Sequence, residues 1–161
     1  MKCSVKKLIL TAAAALVLVA AVIMTVSIIG SKPKLVLKDR ETGKIYAEYE
    51  LKDGETFSVS FIHSVNQSEV VDYYRRGEDG KIICYANRFH SFGAGMPESW
   101  PEYAVVETTE DGILVSNLDI ELDNMTYIVG TVSDHVLEIG GQKISLRDLC
   151  GRNAEVTFEL K

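Results

Sequence analysis

Phe57-Ser58-Val59-Ser60-Phe61-Ile62-His63 sets Phe57, Val59 and Phe61 on one face by strict alternation. A period of two is the mark of a half-buried β-strand. The reading extends outward from there. Residues 70–76 and 81–89 flank Gly77-Glu78-Asp79-Gly80, a hairpin connection. Upstream, the short runs 35–37 and 45–51 are separated by the turn Glu41-Thr42-Gly43-Lys44, and Lys52-Asp53-Gly54-Glu55 is a second turn. Downstream, runs 103–108 and 113–116 flank Glu110-Asp111-Gly112. Runs 127–132, 135–139 and 142–146 come next, the last two joined by Gly140-Gly141, and 155–160 alternates Val156, Phe158 and Leu160. About ten short strands at this spacing predict an all-β domain, a compact sandwich or barrel of antiparallel strands. Outside the first thirty residues only 147–151 reads as a helical turn.

The N-terminal part is different in kind. Residues 8–29 form a run of 22 without a charge. As a helix this run would be about 33 Å long, enough for a hydrocarbon core of about 30 Å. The expected organisation is a cytoplasmic tail (1–7), a transmembrane anchor (8–29), a linker (30–34) and an extracytoplasmic β domain (35–161). Small residues around Val19-Ala20-Ala21 also allow a cleaved signal peptide. The apolar run is longer than the usual h-region of about 7–15 residues, which favours an uncleaved anchor. Three lysines before the run and five basic residues soon after it leave the positive-inside count undecided. A short basic tail ahead of an apolar run puts the N-terminus inside and the domain outside.

Only 3 of the 17 basic residues precede residue 31, and all 23 acidic residues come after it, so the domain carries a formal charge of −9. That excludes nucleic acid as a natural partner, because phosphates need Lys and Arg, and disfavours lying flat on anionic lipid. Cys3 precedes the anchor, while Cys84 and Cys150 lie in the domain. Outside the cell those two would have the option of pairing, and two unpaired core thiols are the equal alternative.

Three places are candidates for chemistry. His63 shares the parity of Phe57, Val59 and Phe61, so it should end a core-facing row, with Asp72 on the next strand as its partner. Such a pair either fixes a strand end or orients a base. The second place is Ser91-Phe92-Gly93-Ala94-Gly95-Met96-Pro97, where glycines permit close approach of the chain to a ligand. It is neither a phosphate loop nor a nucleophile elbow, because the motifs around it are missing. The third is Ser133-Asp134-His135. His63, Asp72 and His135 are the metal-ligand candidates, although no ligand spacing is present. No cofactor motif is present either.

Taken together, His63-Ser64-Val65, then Val70, Asp72 and Tyr74, then Phe89 with the stretch from Ser91 to Pro97, and later Gly130, Asp134-His135, Gly140-Gly141 and Leu146-Arg147-Asp148-Leu149, resemble a bacterial family. That family is known as "domain of unknown function 1850". The resemblance spans residues 57–149. It implies no established activity. It does imply genes beside those of tripartite ATP-independent periplasmic transporters, and so an accessory or binding role in solute uptake, with transporter subunits as partners. Glu69 and Val71 depart from the pattern, which leaves Asp72 without a second polar neighbour. The alternatives are an extracytoplasmic His-dependent or metal-assisted hydrolase built on His63, Asp72 and His135, and a purely structural assembly protein.

Overall fold

The computed structural model describes residues 32–91 and 99–161. The expected anchor at 8–29, Cys3 and the Phe92–Pro97 part of the second candidate place lie outside the described residues. The chain divides into two compact units, the second of which, Pro33–Lys161, is the β domain. Among the described residues no helix is long and apolar enough to cross a membrane.

The described residues of the domain form eleven strands: β1 (Lys34–Asp39), β2 (Ile45–Glu50), β3 (Thr56–Ile62), β4 (Glu69–Arg76), β5 (Ile82–Phe89), β6 (Val105–Thr109), β7 (Gly112–Leu122), β8 (Met125–Ile128), β9 (His135–Ile139), β10 (Gln142–Ser145) and β11 (Glu155–Leu160). One short helix, α1 (Leu146–Cys150), sits between β10 and β11. The strands form two antiparallel sheets. One has the order β2-β1-β11-β8 and the other β10-β9-β3-β4-β5-β7-β6. Among the described residues both sheets end in free edge strands, so the architecture is a two-sheet, sandwich-like one and no barrel closes.

The alternating faces explain the packing. Phe57, Val59, Leu137 and Ile139 of the large sheet join Leu35, Leu37, Val156 and Phe158 of the small one in a single core. Phe57 and Phe158 lie nearly parallel across the interior, centroids 6.4 Å apart. Hydrophobic burial of this kind is worth about 25 cal/mol per Å² of apolar surface.

Two strands depart from the alternation reading, and for the first the cause is visible. The pattern predicts that β7 stops at Ser116, but the strand runs to Leu122. Asn117 and Asp119 adopt left-handed backbone angles, φ 59° and 49°. The register of β7 against β5 shifts there, and a bulge of this sort breaks the period without ending the strand. The strand expected at 127–132 instead covers Met125–Ile128. The Gly77–Gly80, Glu110–Gly112 and Gly140–Gly141 connections are hairpins, as the turn residues predict. At Gly112, φ is 121° and an added Cβ would lie 2.5 Å from the Phe89 carbonyl oxygen, so only glycine fits.

Leu137 is fully buried on β9. Leu137→Ala is expected to cost about 2–5 kcal/mol, read as a lowered urea midpoint at unchanged slope.

Candidate functional site

Alternation along β4 turns Val70, Asp72 and Tyr74 to the interior. Asp72 therefore stands in a core-facing row, opposite Val59 on β3 and Asn87 on β5. A carboxylate in such a place needs donors, because an unpaired buried charge is costly. It has them. The Asn87 amide donates to Oδ1 at 2.7 Å. The Tyr127 hydroxyl, from β8 of the opposite sheet, donates to Oδ2 at 2.6 Å. Tyr127 and Tyr74 hydroxyls are 2.6 Å apart. Since Tyr127 spends its proton on Asp72, Tyr74 is the donor of that pair. The result is a directed chain from Tyr74 through Tyr127 to Asp72, with Asn87 closing the other side.

Burial raises the Asp72 carboxyl above its ordinary range, opposed by the hydrogen bonds from Tyr127 and Asn87. Burial also drives both tyrosine hydroxyls well above theirs. Cys84 joins the edge of the cluster, with the Asn87 amide 3.5 Å from its sulfur. Burial, and then the field of Asp72, push its thiol up to about 11. Positions 84 and 87 would face opposite sides of a regular strand. A bulge lets them share one, because β4 pairs Tyr73 with Ala86 but Tyr74 with Cys84, leaving Tyr85 extra.

His135 borders the same cluster. It faces Phe61 across the β3–β9 ladder, with ring centroids 5.0 Å apart, and the Tyr127 ring is 5.3 Å away. Its Nδ1 accepts from the Gly130 amide at 3.3 Å. Burial lowers its pKa, opposed by the fields of Asp134 and Asp72.

His63 does not join them. The expectation of a core-facing His63 paired with Asp72 is corrected by the register. β3 ends at Ile62, and Asp72 lies opposite Val59. The residues after Ile62 turn, with the His63 amide donating to the Ser68 carbonyl and the Gln67 amide to the His63 carbonyl. The His63 Nδ1 accepts from the Val65 and Asn66 amides, each at 3.3 Å, so the ring caps its own loop. Ser64 and Ser91 are exposed. Among the described residues no three or more His, Cys, Asp or Glu side chains are grouped to hold a metal ion. Cys84 and Cys150 are both free thiols, so the disulfide option is not taken.

Asp134 works on the next hairpin. It accepts from the Ser145 hydroxyl at 2.5 Å and from the Arg147 amide at 3.0 Å. Ser145 in turn caps α1 by accepting from the Asp148 amide. The Arg147 guanidinium donates to the Gly130 and Val132 carbonyls. At Gly130 a Cβ would lie 2.2 Å from the Ser133 carbonyl oxygen. Ser133 accepts from the Ile62 amide at 2.9 Å, tying this loop to the end of β3. The two loops border an open hollow of about 680 Å³, with Phe61, Ile62, Gln67, Val132 and Val136 in its lining. Ile62 and Val132 in its lining are 44% and 93% exposed, and Val65, next in the chain to the lining residue Ser64, is 65% exposed.

The family model described as "Domain of unknown function (DUF1850)" matches residues 57–146. The chain belongs to that family. No curated protein and no solved structure matches the chain. The DUF1850 match takes in nearly all of the seven-stranded sheet and, from the other sheet, only β8, the strand that carries Tyr127. Asp72, Tyr74, Asn87, Tyr127 and His135 all fall inside it.

Sequence reasoning misses Asn87 and Tyr127. Asp72 at core parity is the signal available, since a carboxylate there calls for donors from somewhere. Tyr127→Phe removes one donor from Asp72 and the acceptor of Tyr74. It is expected to lower unfolding free energy by about 1–3 kcal/mol in urea denaturation. Because burial raises Asp72, the folded chain holds that proton where the unfolded chain has released it. Stability at this position therefore falls as pH rises from about 4 upward. His135, depressed by burial, acts in the opposite sense as pH falls below the imidazole range. In Asp72→Asn the first effect disappears, so its stability relative to wild type should climb across that window. A gap that stays constant with pH would mean the carboxyl titrates as a free one.

Proposed function

We propose that this DUF1850 chain is a membrane-anchored, extracytoplasmic binding or accessory domain of a solute uptake transporter. The observation that carries the reading is the apolar end of the sheet, where Val132 stands largely in water in the lining of an open hollow and Val65 is exposed next in the chain to the lining residue Ser64. Clusters of exposed apolar side chains with polar neighbours mark protein contacts. The loops that hold this end are stiffened from beneath by the His63 cap and by the Asp134–Ser145–Arg147 bonds, as a contact surface on a rigid scaffold requires. The apolar run at 8–29 and the transporter gene neighbourhood implied by the family resemblance supply the membrane and the partner. A hydrolase built on His63, Asp72 and His135 is less well supported, because the hydrogen bonds of those side chains go to separate partners.

The test is affinity purification of the full chain from membranes of its own host, in wild-type form and as Val65→Asp/Val132→Asp. Transporter membrane subunits should accompany the wild type. The double variant, with unchanged circular dichroism, should recover about tenfold less, equivalent to about 1.4 kcal/mol of contact. Wild-type protein that emerges without transporter subunits would defeat the reading.

A further inference from the structure

The outward face of the seven-stranded sheet is not flat. A second open hollow of about 680 Å³ lies on it. Its floor runs along β3, where the outward residues between Phe57 and Phe61 are Ser58 and Ser60. Both are flanked by taller neighbours. Ser58 lies between Glu138 and Tyr73, and Ser60 between Val136 and Val71, with Arg88 beyond Val71. Serine is a poor filler for a central strand, where β-branched and aromatic side chains pack better. Here its small size lowers the floor and makes the hollow.

One wall is aromatic. Tyr73 and Tyr85 rings lie 6.1 Å apart and tilted by 44°. The β5 bulge makes this pair by setting an extra residue, Tyr85, beside the position facing Tyr73. Four of the five charged side chains around the hollow are paired with one another, and the fifth, Glu55, accepts from the Lys52 amide. Arg88 pairs with Glu69 at 3.0 Å and Lys143 with Glu138 at 3.5 Å. An anionic ligand would have to displace one of these partners, and a neutral one would not. What is left over is neutral hydrogen-bonding capacity. Among the described residues, the hydroxyls of Ser58, Ser60, Tyr73 and Tyr85 have no protein partner.

We propose that this groove binds a neutral polyhydroxylated ligand, a sugar or short oligosaccharide. The apolar face of a pyranose ring would lie against Tyr73 and Tyr85, and its hydroxyls would meet the serines. This matches how small-ligand sites combine an apolar wall with a few placed polar groups. The assignment does not rest on the transporter reading. The groove and the apolar end share Ser60 and Glu69 at their border, so Ser58 and Tyr73, from the groove side alone, are the positions to change.

The experiment is saturation-transfer NMR on the full chain, in a detergent without a sugar headgroup. The probes are the methyl glycosides of glucose, galactose and mannose, with maltotriose and sodium glucuronate alongside. Saturation should pass to ring protons of at least one neutral probe. Tyr73→Ala should weaken that probe about tenfold. Ser58→Val should also weaken it, and it is a variant that β-propensity favours folding. No transfer to any neutral probe, transfer undiminished in both variants, or binding of glucuronate alone would each overturn the proposal.

Discussion

A carboxylate between two sheets stays there only if something donates to it, and Asp72 draws donors from both. Asn87 comes from the neighbouring strand of its own sheet. Tyr127 reaches across from the other sheet. The second bond is directional in a way that apolar contact is not. Packing of Phe57 on Phe158 tolerates sliding, because dispersion and hydrophobic burial vary smoothly with position. A hydroxyl held 2.6 Å from a carboxylate does not tolerate it. The Asp72–Tyr127 bond therefore sets how the small sheet sits over the large one. Tyr74, donating to Tyr127, holds the phenol from behind. A fully apolar interior could be as stable or more so, and polar groups retained in such places are best attested as fixing one arrangement among several. His135 stands beside the network between two aromatic rings, where burial lowers its pKa against the fields of Asp134 and Asp72.

How far the fold is readable from the sequence depends on where the backbone keeps its period. Strands β9 and β11 have the bounds that alternation sets, His135–Ile139 and Glu155–Leu160. Strand β7 does not, because Asn117 and Asp119 take up left-handed angles inside it, and polar residues in the middle of a strand look like its end. His63 is the mirror case. Its parity matches the row, but the strand stops one residue earlier, and the ring turns to its own loop. Asp72, Tyr74 and His135 are visible as chemistry in the sequence. Their true partners are not, because one strand's pattern holds no information on which residue of another sheet stands opposite. The β5 bulge hides the rest, by bringing Cys84 and Asn87 to one side against simple counting.

That same bulge serves both faces of the large sheet. Inward, it brings Cys84 to the side where Asn87 meets Asp72. Outward, it supplies Tyr85 to the aromatic wall beside Tyr73. An extra residue is a local device for aiming side chains. Here one insertion shapes the polar interior and the hollow outside it, so a change that ironed out the strand would disturb both at once.

The small sheet carries a consequence for the order of folding. Its inner strand β1 pairs with β2 close by in sequence, but on its other side it pairs with β11, in a register that sets Leu35 opposite Leu160. The bonds between Lys34 and Lys161 close this ladder. Leu35, Val36 and Leu37 are fully buried in the finished structure, yet the strand that completes their sheet is translated only after nearly all the rest of the domain. During synthesis β1 must therefore wait as half of a hairpin, its apolar side chains unshielded. Pairings this distant in sequence make for slow closure. The last strand to be made is thus the one that completes the sheet of the first.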